Sequence, residues 1–379
     1  MTLATFDASA LAGIEKILAA APVIEEGNKI WLDLGYAPLN FIISGNAAQA
    51  FESGRLYEIA GPSGSGKTLL ATAAMIATQR MGGICIFVDW EMAFKDEFAA
   101  SLGLITSAPY FYKLKSETWE AGNTSAFKIA EYIRANKLIP PEAPITIVFD
   151  SIAAAVPKSV LYDSKGNRRG IDELTMNDTT ALARVTSTTL KSVAQYAAQF
   201  NVCAIYLNQI RTKPGVVYGD PTTTPGGSAM EFYASTRIFT GSKKIMEAKG
   251  GSKEFKGRLI GLETKKNKLS RPFQSVELRL MYDDSGMAYF DYATGYIEEL
   301  VAGKVLEEKS GRVTWEGKTY YKGQLAKKIL EDGKMPLLVA MYLQSKGIAV
   351  PTTFAAPIGA ADASVISDTD PEKLPDDVA

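Results

Sequence analysis

The sequence predicts an α/β fold: a wound, mostly parallel sheet with an N-terminal helical segment and a small C-terminal α/β module. Three observations predict it. Four near-continuous apolar runs, Leu56–Ala60, Ile84–Asp89, Ile145–Asp150 and Val202–Asn208, have the composition of parallel strands buried on both faces. Helix-period stretches lie between them, around 69–80, 123–136 and 177–200, which is the alternation that parallel crossovers require. Shorter alternating runs, Arg237–Thr240, Leu259–Thr264, Val276–Tyr282 and Ala288–Asp291, then extend the sheet.

In order along the chain, residues 1–37 carry an amphipathic helix with the stripe Leu11, Ile14, Ile17 and Leu18 and Asp7 or Ser9 as its cap. A Pro- and Gly-marked linker follows it. This part is a candidate oligomerisation element. Leu39–Ile43 begin the next element, and residues 38–291 form the sheet core. Residues 292–353 read as a separate small domain, with Gly317-Lys318 and Lys322-Gly323 turns flanking Thr319–Tyr321. Residues 354–379 lack periodicity and are rich in Ala, Pro and Asp, the composition of a disordered acidic tail.

At 379 residues with 46% hydrophobic and 22% charged side chains, the composition is that of a soluble globular protein. No apolar run approaches the ~20 residues that span a bilayer, so no membrane association is expected. The N-terminus lacks a basic segment ahead of its apolar residues, which predicts no secretory signal. Cys85 and Cys203 each sit in an apolar, β-branched run. Buried reduced thiols and a cytoplasmic location follow. With no histidine, a Ser-His-Asp triad, a histidine base and histidine-ligated zinc are excluded. Residues 362–379 hold six acidic residues against Lys373, a net of −5, so the other 361 residues carry +4 of the chain's −1. A mildly basic body is compatible with a polyanionic partner.

Gly61-Pro62-Ser63-Gly64-Ser65-Gly66-Lys67-Thr68 fits G-x-x-x-x-G-K-[ST] in full, between a strand ending at Ala60 and a helix beginning at Leu69. Such a loop turns successive backbone amides onto phosphate oxygens at a helix N-terminus. Lys67 would reach the β- and γ-phosphates of ATP, and the Thr68 hydroxyl would ligate Mg²⁺. Asp150, ending a buried run, would hold the same Mg²⁺ through its water shell. A second acidic pair, Asp89 and Glu91, ends the strand after the cradle helix. Side-chain alternation lets both share a face while Trp90 points away, so either carboxylate qualifies to activate the attacking water.

Asn208-Gln209 close a strand beside the cradle, where a polar side chain can sense the γ-phosphate. The run 210–227 that follows is rich in Gly, Thr and Pro, without a period, and is a candidate DNA-binding loop. Arg211 and Lys213 supply charge. Val216, Val217 and Tyr218 are groups that contact or separate bases, and Gly226 and Gly227 permit close approach to a phosphodiester. A second such loop, 162–170, offers Lys165, Arg168 and Arg169. Lys266 and Lys268, at alternate positions, present two ammoniums on one strand face.

Together these segments resemble the RecA family of strand-exchange recombinases, bacterial and phage, over roughly residues 38–330. Gly54–Thr68 resembles that family's cradle. Phe87–Phe94 resembles the segment whose glutamate activates water, which selects Glu91. Val148–Lys158 resembles the second acidic segment, and Leu207–Ser235 the γ-phosphate-sensing glutamine, second DNA-binding loop and following helix, including Ser228. Lys265–Lys268 resembles the segment that reaches the neighbouring protomer's ATP. The resemblance implies a RecA-type P-loop NTPase core with ATP and Mg²⁺ as cofactors. Loop 162–170 then matches the position of the first DNA-binding loop, Arg184 and Lys191 match basic positions on the next helix, and Tyr282 matches an adenine contact. Lys95 and Phe98 stand where the family has an acid and a tyrosine.

The implied function is an ATP-dependent recombinase. It would form a helical homo-oligomer on single-stranded DNA and pair it with duplex DNA, with Lys266 and Lys268 acting on a neighbour's nucleotide. The alternative is a hexameric helicase-type motor on the same core, separated from the first reading by closed rings in place of filaments. A non-hydrolysing binding paralogue is a third reading, which the intact Lys67, Glu91 and Asp150 oppose.

Overall fold

A computed structural model describes residues 29–173, 178, 180–212, 222–249 and 252–351. The helix expected near 9–20 and the tail 354–379 lie outside the described residues, as do Lys213, Val216, Val217 and Tyr218.

The chain enters through β1 (Trp31–Leu32), α1 (Ala37–Ser44) and β2 (Phe51–Glu52), the two strands pairing antiparallel. The core follows as β3 (Arg55–Gly61), α2 (Lys67–Arg80), β4 (Ile84–Asp89), α3 (Asp96–Ser101), β5 (Phe111–Leu114), α4 (Trp119–Ala135) and β6 (Ile145–Asp150). A short helix α5 (Lys158–Leu161) precedes α6 (Ala181–Phe200) and β7 (Val202–Gln209). A two-residue ladder, β8 (Arg211–Thr212) with β9 (Thr222–Thr223), leads to α7 (Ala229–Tyr233). The sheet is completed by β10 (Thr236–Lys249), β11 (Ser252–Asn267), β12 (Ser275–Tyr282) and β13 (Ala288–Phe290).

The main sheet has nine strands in the order β13-β12-β11-β10-β3-β7-β6-β4-β5. Every pairing from β10 through β5 is parallel, and the β10–β11, β11–β12 and β12–β13 pairings are antiparallel. The mostly parallel α/β sheet expected from the sequence is therefore present.

Strand periodicity explains why the four predictive runs are nearly continuous in apolar residues. Cys85, Phe87, Val148, Cys203, Ile205 and Leu207 pack on the face covered by α2. Ile84, Ile86, Val88, Ile145, Ile147, Phe149, Val202, Ala204 and Tyr206 pack on the other, against α4 and α6. Successive side chains enter opposite layers, so both positions in the period favour apolar residues, and the buried polar exceptions Glu58 and Thr146 are hydrogen-bonded. Both cysteines are free and buried, and burial pushes both thiols far above the ordinary range.

Two elements differ in extent from the sequence expectation. The run Arg237–Thr240 is the root of a 14-residue strand, and Leu259–Thr264 is the middle of a 16-residue one. They form a hairpin whose outer part carries Lys243, Lys244, Lys253 and Lys256. That part pairs only β10 with β11 and its lysines lie outside the covered layers, so it needs no apolar period to be a strand. Helix α4 starts at Trp119, earlier than expected, because Thr118 Oγ1 accepts the Ala121 amide at 3.1 Å as an N-cap.

Beyond β13 lie α8 (Tyr292–Ala302), a three-stranded sheet of β14 (Glu308–Lys309), β15 (Arg312–Trp315) and β16 (Lys318–Tyr321), then α9 (Lys322–Glu331) and α10 (Met335–Ser345). Lys322 and Gly323, read as a turn in the sequence, open α9 instead. Tyr36 packs on Tyr292 and Tyr296, each with ring centroids at 5.0 Å, and Tyr296 packs on Tyr342 at 5.7 Å. Among the described residues no helix is long and apolar enough to cross a membrane.

Candidate functional site: a phosphate cradle and its surroundings

Four strand ends meet at one edge of the sheet. Gly61 of β3 pairs with Gln209 of β7, and Asp89 of β4 with Asp150 of β6. Parallel strands place all these carboxyl ends together, the usual position of ligands in open α/β sheets.

The loop Gly61–Thr68 runs from β3 into α2. Gly66 caps the helix at φ 98°, and a Cβ there would lie 2.9 Å from Ile260 Cγ2 on β11, so glycine is required on both counts. Lys67 folds back into the loop, its Nζ donating to Gly61 O at 3.0 Å and Pro62 O at 2.8 Å. Burial lowers the Lys67 ammonium, opposed by Glu91 and Asp150. Ser65 Oγ lies 2.6 Å from Thr240 Oγ1. The Gly64 carbonyl accepts from Ser242 Oγ at 3.1 Å and Arg258 Nη1 at 3.3 Å. Ser63 and Gly64 are exposed at the rim. With the Gly64 carbonyl held from outside, the loop can turn amides towards a phosphate.

Thr68 Oγ1 donates to Asp150 Oδ2 at 3.1 Å. A hydroxyl beside a carboxylate is a hard-oxygen donor set, which fits Mg²⁺ held by one or two protein groups plus phosphate. No cluster of three or more acidic, histidine or cysteine ligands occurs among the described residues, as such a shared site permits. Burial, reinforced by Glu91, pushes Asp150 up to about 7. A divalent cation would relieve that crowding of negative charge.

The two carboxylates that the sequence left open part company in space. Strand β4 stops at Asp89, which is buried and accepts the Ala93 amide at 3.3 Å. Trp90 is sealed between Trp119 and Phe149, with centroids at 5.5 and 5.6 Å. Glu91 emerges into solvent, its Oε1 accepting from Ser151 Oγ and, at 3.4 Å, from Gln209 Nε2. Lys67, Thr68, Glu91, Asp150 and Gln209 are thus brought together, and Ser151 joins them. Ser151 adjoins the acidic strand end, a signal visible in the sequence but without a motif.

Gln209 leads directly into the 210–227 segment. The ladder Arg211↔Thr223 and Thr212↔Thr222 closes its base, which the sequence did not reveal because two-residue pairings have no period. Gly226 and Gly227 have φ of 91° and 71°, and Thr186 Oγ1 donates to Gly226 O at 2.6 Å. A Cβ on Gly226 would sit 3.0 Å from Ile152 Cγ2. These glycines therefore meet an internal demand, the seat of the segment on α6. Ser228 precedes α7 as its cap residue.

In the 162–170 loop, Arg168 Nη1 bonds Glu117 Oε1 at 2.5 Å. Arg169 grips Asp178 through two nitrogens at 3.1 and 3.2 Å. Asp163 accepts the Lys165 and Asn167 amides, each at 2.8 Å, which shapes the turn. The Lys165 side chain is exposed at its tip. Arg184 and Lys191 are exposed on α6.

Lys266 and Lys268 do not join the cradle of their own chain. Lys266 pairs in register with Arg237, which sits beside Glu58, three residues before Gly61. Lys266 Nζ donates to Glu231 O and, at 3.0 Å, to Phe232 O. Lys268 Nζ reaches Phe232 O at 3.1 Å. Burial, then the charge of Lys268, pushes Lys266 down to about 8. Phe232 beside them is 71% exposed, an apolar ring among ammoniums. Tyr282 lies on β12, its ring 5.8 Å from Phe255.

A family model described as the RecA N-terminal domain matches residues 8–287, well over half of the chain. The chain belongs to the RecA family. It is 32% identical over 287 residues to Protein RecA of Lactococcus lactis subsp. cremoris (strain MG1363), covering 73% of this chain and 68% of that protein. It is 35% identical over 264 residues to Protein RecA of Chlamydia trachomatis serovar D, covering 68% of this chain and 66% of the relative. To the chromosomal Protein RecA of Lactococcus lactis subsp. lactis (strain IL1403) it is 33% identical over 270 residues, covering 70% and 62%. The RecA family match spans the cradle, both acidic segments, the 210–227 run and the Lys266–Lys268 segment, and it does not favour the helicase alternative.

Proposed function

We propose that this RecA-family chain is a DNA-dependent ATPase that forms helical filaments on single-stranded DNA, pairs that strand with homologous duplex and exchanges strands. The observation that carries the reading is the position of Gln209. Its side chain touches Glu91 at the cradle, while its backbone continues into the 210–227 segment. One residue is thus exposed both to nucleotide state and to the segment read as DNA-binding.

In this reading the cradle amides and Lys67 bind the triphosphate, and Thr68 and Asp150 would hold Mg²⁺, which would supply charge neutralisation to the phosphates. Glu91 orients the attacking water and accepts its proton. Lys266 and Lys268, directed away from their own cradle, stabilise charge on the phosphoryl group bound by a neighbour. Tyr282 contacts the adenine. Lys165, Arg168 and Arg184 meet DNA phosphates together with Arg211, Lys213 and the 226–228 turn, while Val216 and Tyr218 contact bases. Arg169, through its grip on Asp178, holds the first loop in shape. Such work belongs in the cytoplasm.

The test is steady-state ATP hydrolysis with and without circular single-stranded DNA, paired with electron micrographs in a non-hydrolysable ATP analogue. Stimulation by DNA together with extended filaments is the expected result. No stimulation, or closed six-membered rings without filaments, overturns the proposal.

A further inference from the structure

Behind the cradle lies a charged network that phosphate chemistry does not use. Glu58, in the middle of β3, is 0% exposed. Its Oε2 accepts from Arg237 Nε at 2.5 Å and its Oε1 from Asn208 Nδ2 at 2.8 Å. Asn208 Nδ2 also donates to Pro225 O at 2.9 Å, and Asn208 Oδ1 accepts the Gln209 amide at 3.0 Å. Arg237 continues outward, Nη2 donating to Thr224 Oγ1 at 3.2 Å and Nη1 pairing with Glu231 Oε1 at 3.2 Å.

The elements joined are informative. Glu58 is on the strand that leads into the cradle, and Asn208 precedes the residue that touches Glu91. Thr224 and Pro225 belong to the chain returning from the 210–227 segment. Glu231 lies on α7, whose carbonyls hold Lys266 and Lys268. A buried ion pair is a poor way to gain stability, since apolar side chains of similar volume often serve as well or better. What it does provide is geometry. Each buried donor and acceptor here has a partner, so Asn208 cannot shift without breaking a buried bond or carrying Pro225 and Glu58 with it.

We propose that Glu58, Arg237 and Asn208 are positioning residues that couple the nucleotide site to the 210–227 segment and to the Lys266–Lys268 face. A displacement of Gln209 moves Asn208. Asn208 transmits it to Pro225 directly, and to Thr224 and Glu231 through Glu58 and Arg237. The proposal rests on the function proposed above, because it presupposes that nucleotide state alters DNA affinity.

The test is the ratio of dissociation constants for a fluorescent oligothymidylate, measured in ADP and in a non-hydrolysable ATP analogue. Coupling of this kind is on the order of 5–150-fold in the wild type. Thr224→Val keeps the side-chain shape and removes one acceptor, and Glu58→Gln keeps the size and removes the charge. Both should pull the ratio towards one while affinity for a fluorescent ATP analogue changes less than about twofold, the scale of a peripheral contact. A merely structural role would lower the melting temperature without moving the ratio. If Glu58→Gln does not fold, Thr224→Val carries the test alone. An unchanged ratio in folded variants overturns the relay and leaves the recombinase reading standing. A ratio of one in the wild type defeats the recombinase reading itself, and the relay falls with it.

Discussion

Thr68 and Asp150, 82 positions apart in sequence, meet side chain to side chain at 3.1 Å, each at the end of an element that starts or stops at the same sheet edge. That contact joins the phosphate cradle to the acidic strand end. Burial, then the charge of Glu91, pushes the Asp150 carboxyl up to about 7 from its ordinary 3.8, against the Thr68 bond, which acts to lower it.

A pH dependence follows with a definite sign. Between about 3.8 and about 7 the folded protein retains a proton on Asp150 that the unfolded chain has lost. Stability of the nucleotide-free protein therefore falls as pH rises through that window. Asp150→Asn escapes the loss. Its melting temperature should exceed the wild type's at pH 8 and match it at pH 4, and an equal difference at both pH values would contradict this.

Glu91 lies within reach of Ser151 and Gln209 but makes no bond to the cradle loop, so binding and hydrolysis should separate on its removal. Glu91→Gln is expected to lower kcat by roughly 10²–10⁴-fold, the usual contribution of a general base, with nucleotide affinity retained. Lys67→Ala should instead abolish binding of a fluorescent ATP analogue. Hydrolysis that survives Glu91→Gln would assign the water to another group.

Lys266 and Lys268 rest on carbonyls of α7 rather than on their own cradle, which predicts complementation between subunits. Lys67→Ala and Lys266→Ala proteins should each be inactive in DNA-stimulated hydrolysis. Mixed, they can form sites with an intact cradle from one chain and an intact lysine from the other. Activity of the mixture above either parent is expected. Its absence, with filaments still seen, would argue that the lysines act within one chain.

Gly226 tests how the 210–227 segment is seated. It combines a φ of 91° with a Cβ position 3.0 Å from Ile152, whereas Gly82 has a φ of 73° with nothing within 4 Å. Gly226→Ala should cost about 1–3 kcal/mol in urea unfolding, as strained backbone positions do. Gly82→Ala should cost less. Equal costs would mean that only the dihedral angle matters.

The fold class was legible because the four runs are apolar almost without interruption, and only a sheet covered on both faces demands that of Ile84–Val88 or Val202–Leu207. The cradle was legible because its glycines and Lys67 stand at fixed spacing on a single loop. The outer part of the β10–β11 hairpin was not, since neither of its faces is covered by a second layer and no apolar period is demanded of it.

What the sequence determined by itself were features set by local spacing: strand runs, the phosphate loop, and the order of candidate segments. Tertiary structure alone decided which distant side chains share a volume. It turned Asp89 inward and Glu91 outward, though two positions separate them, because Trp90 is locked between Trp119 and Phe149. It buried Glu58 against Arg237 and Asn208, 179 and 150 positions away, an arrangement that parallel register creates and that no linear pattern records.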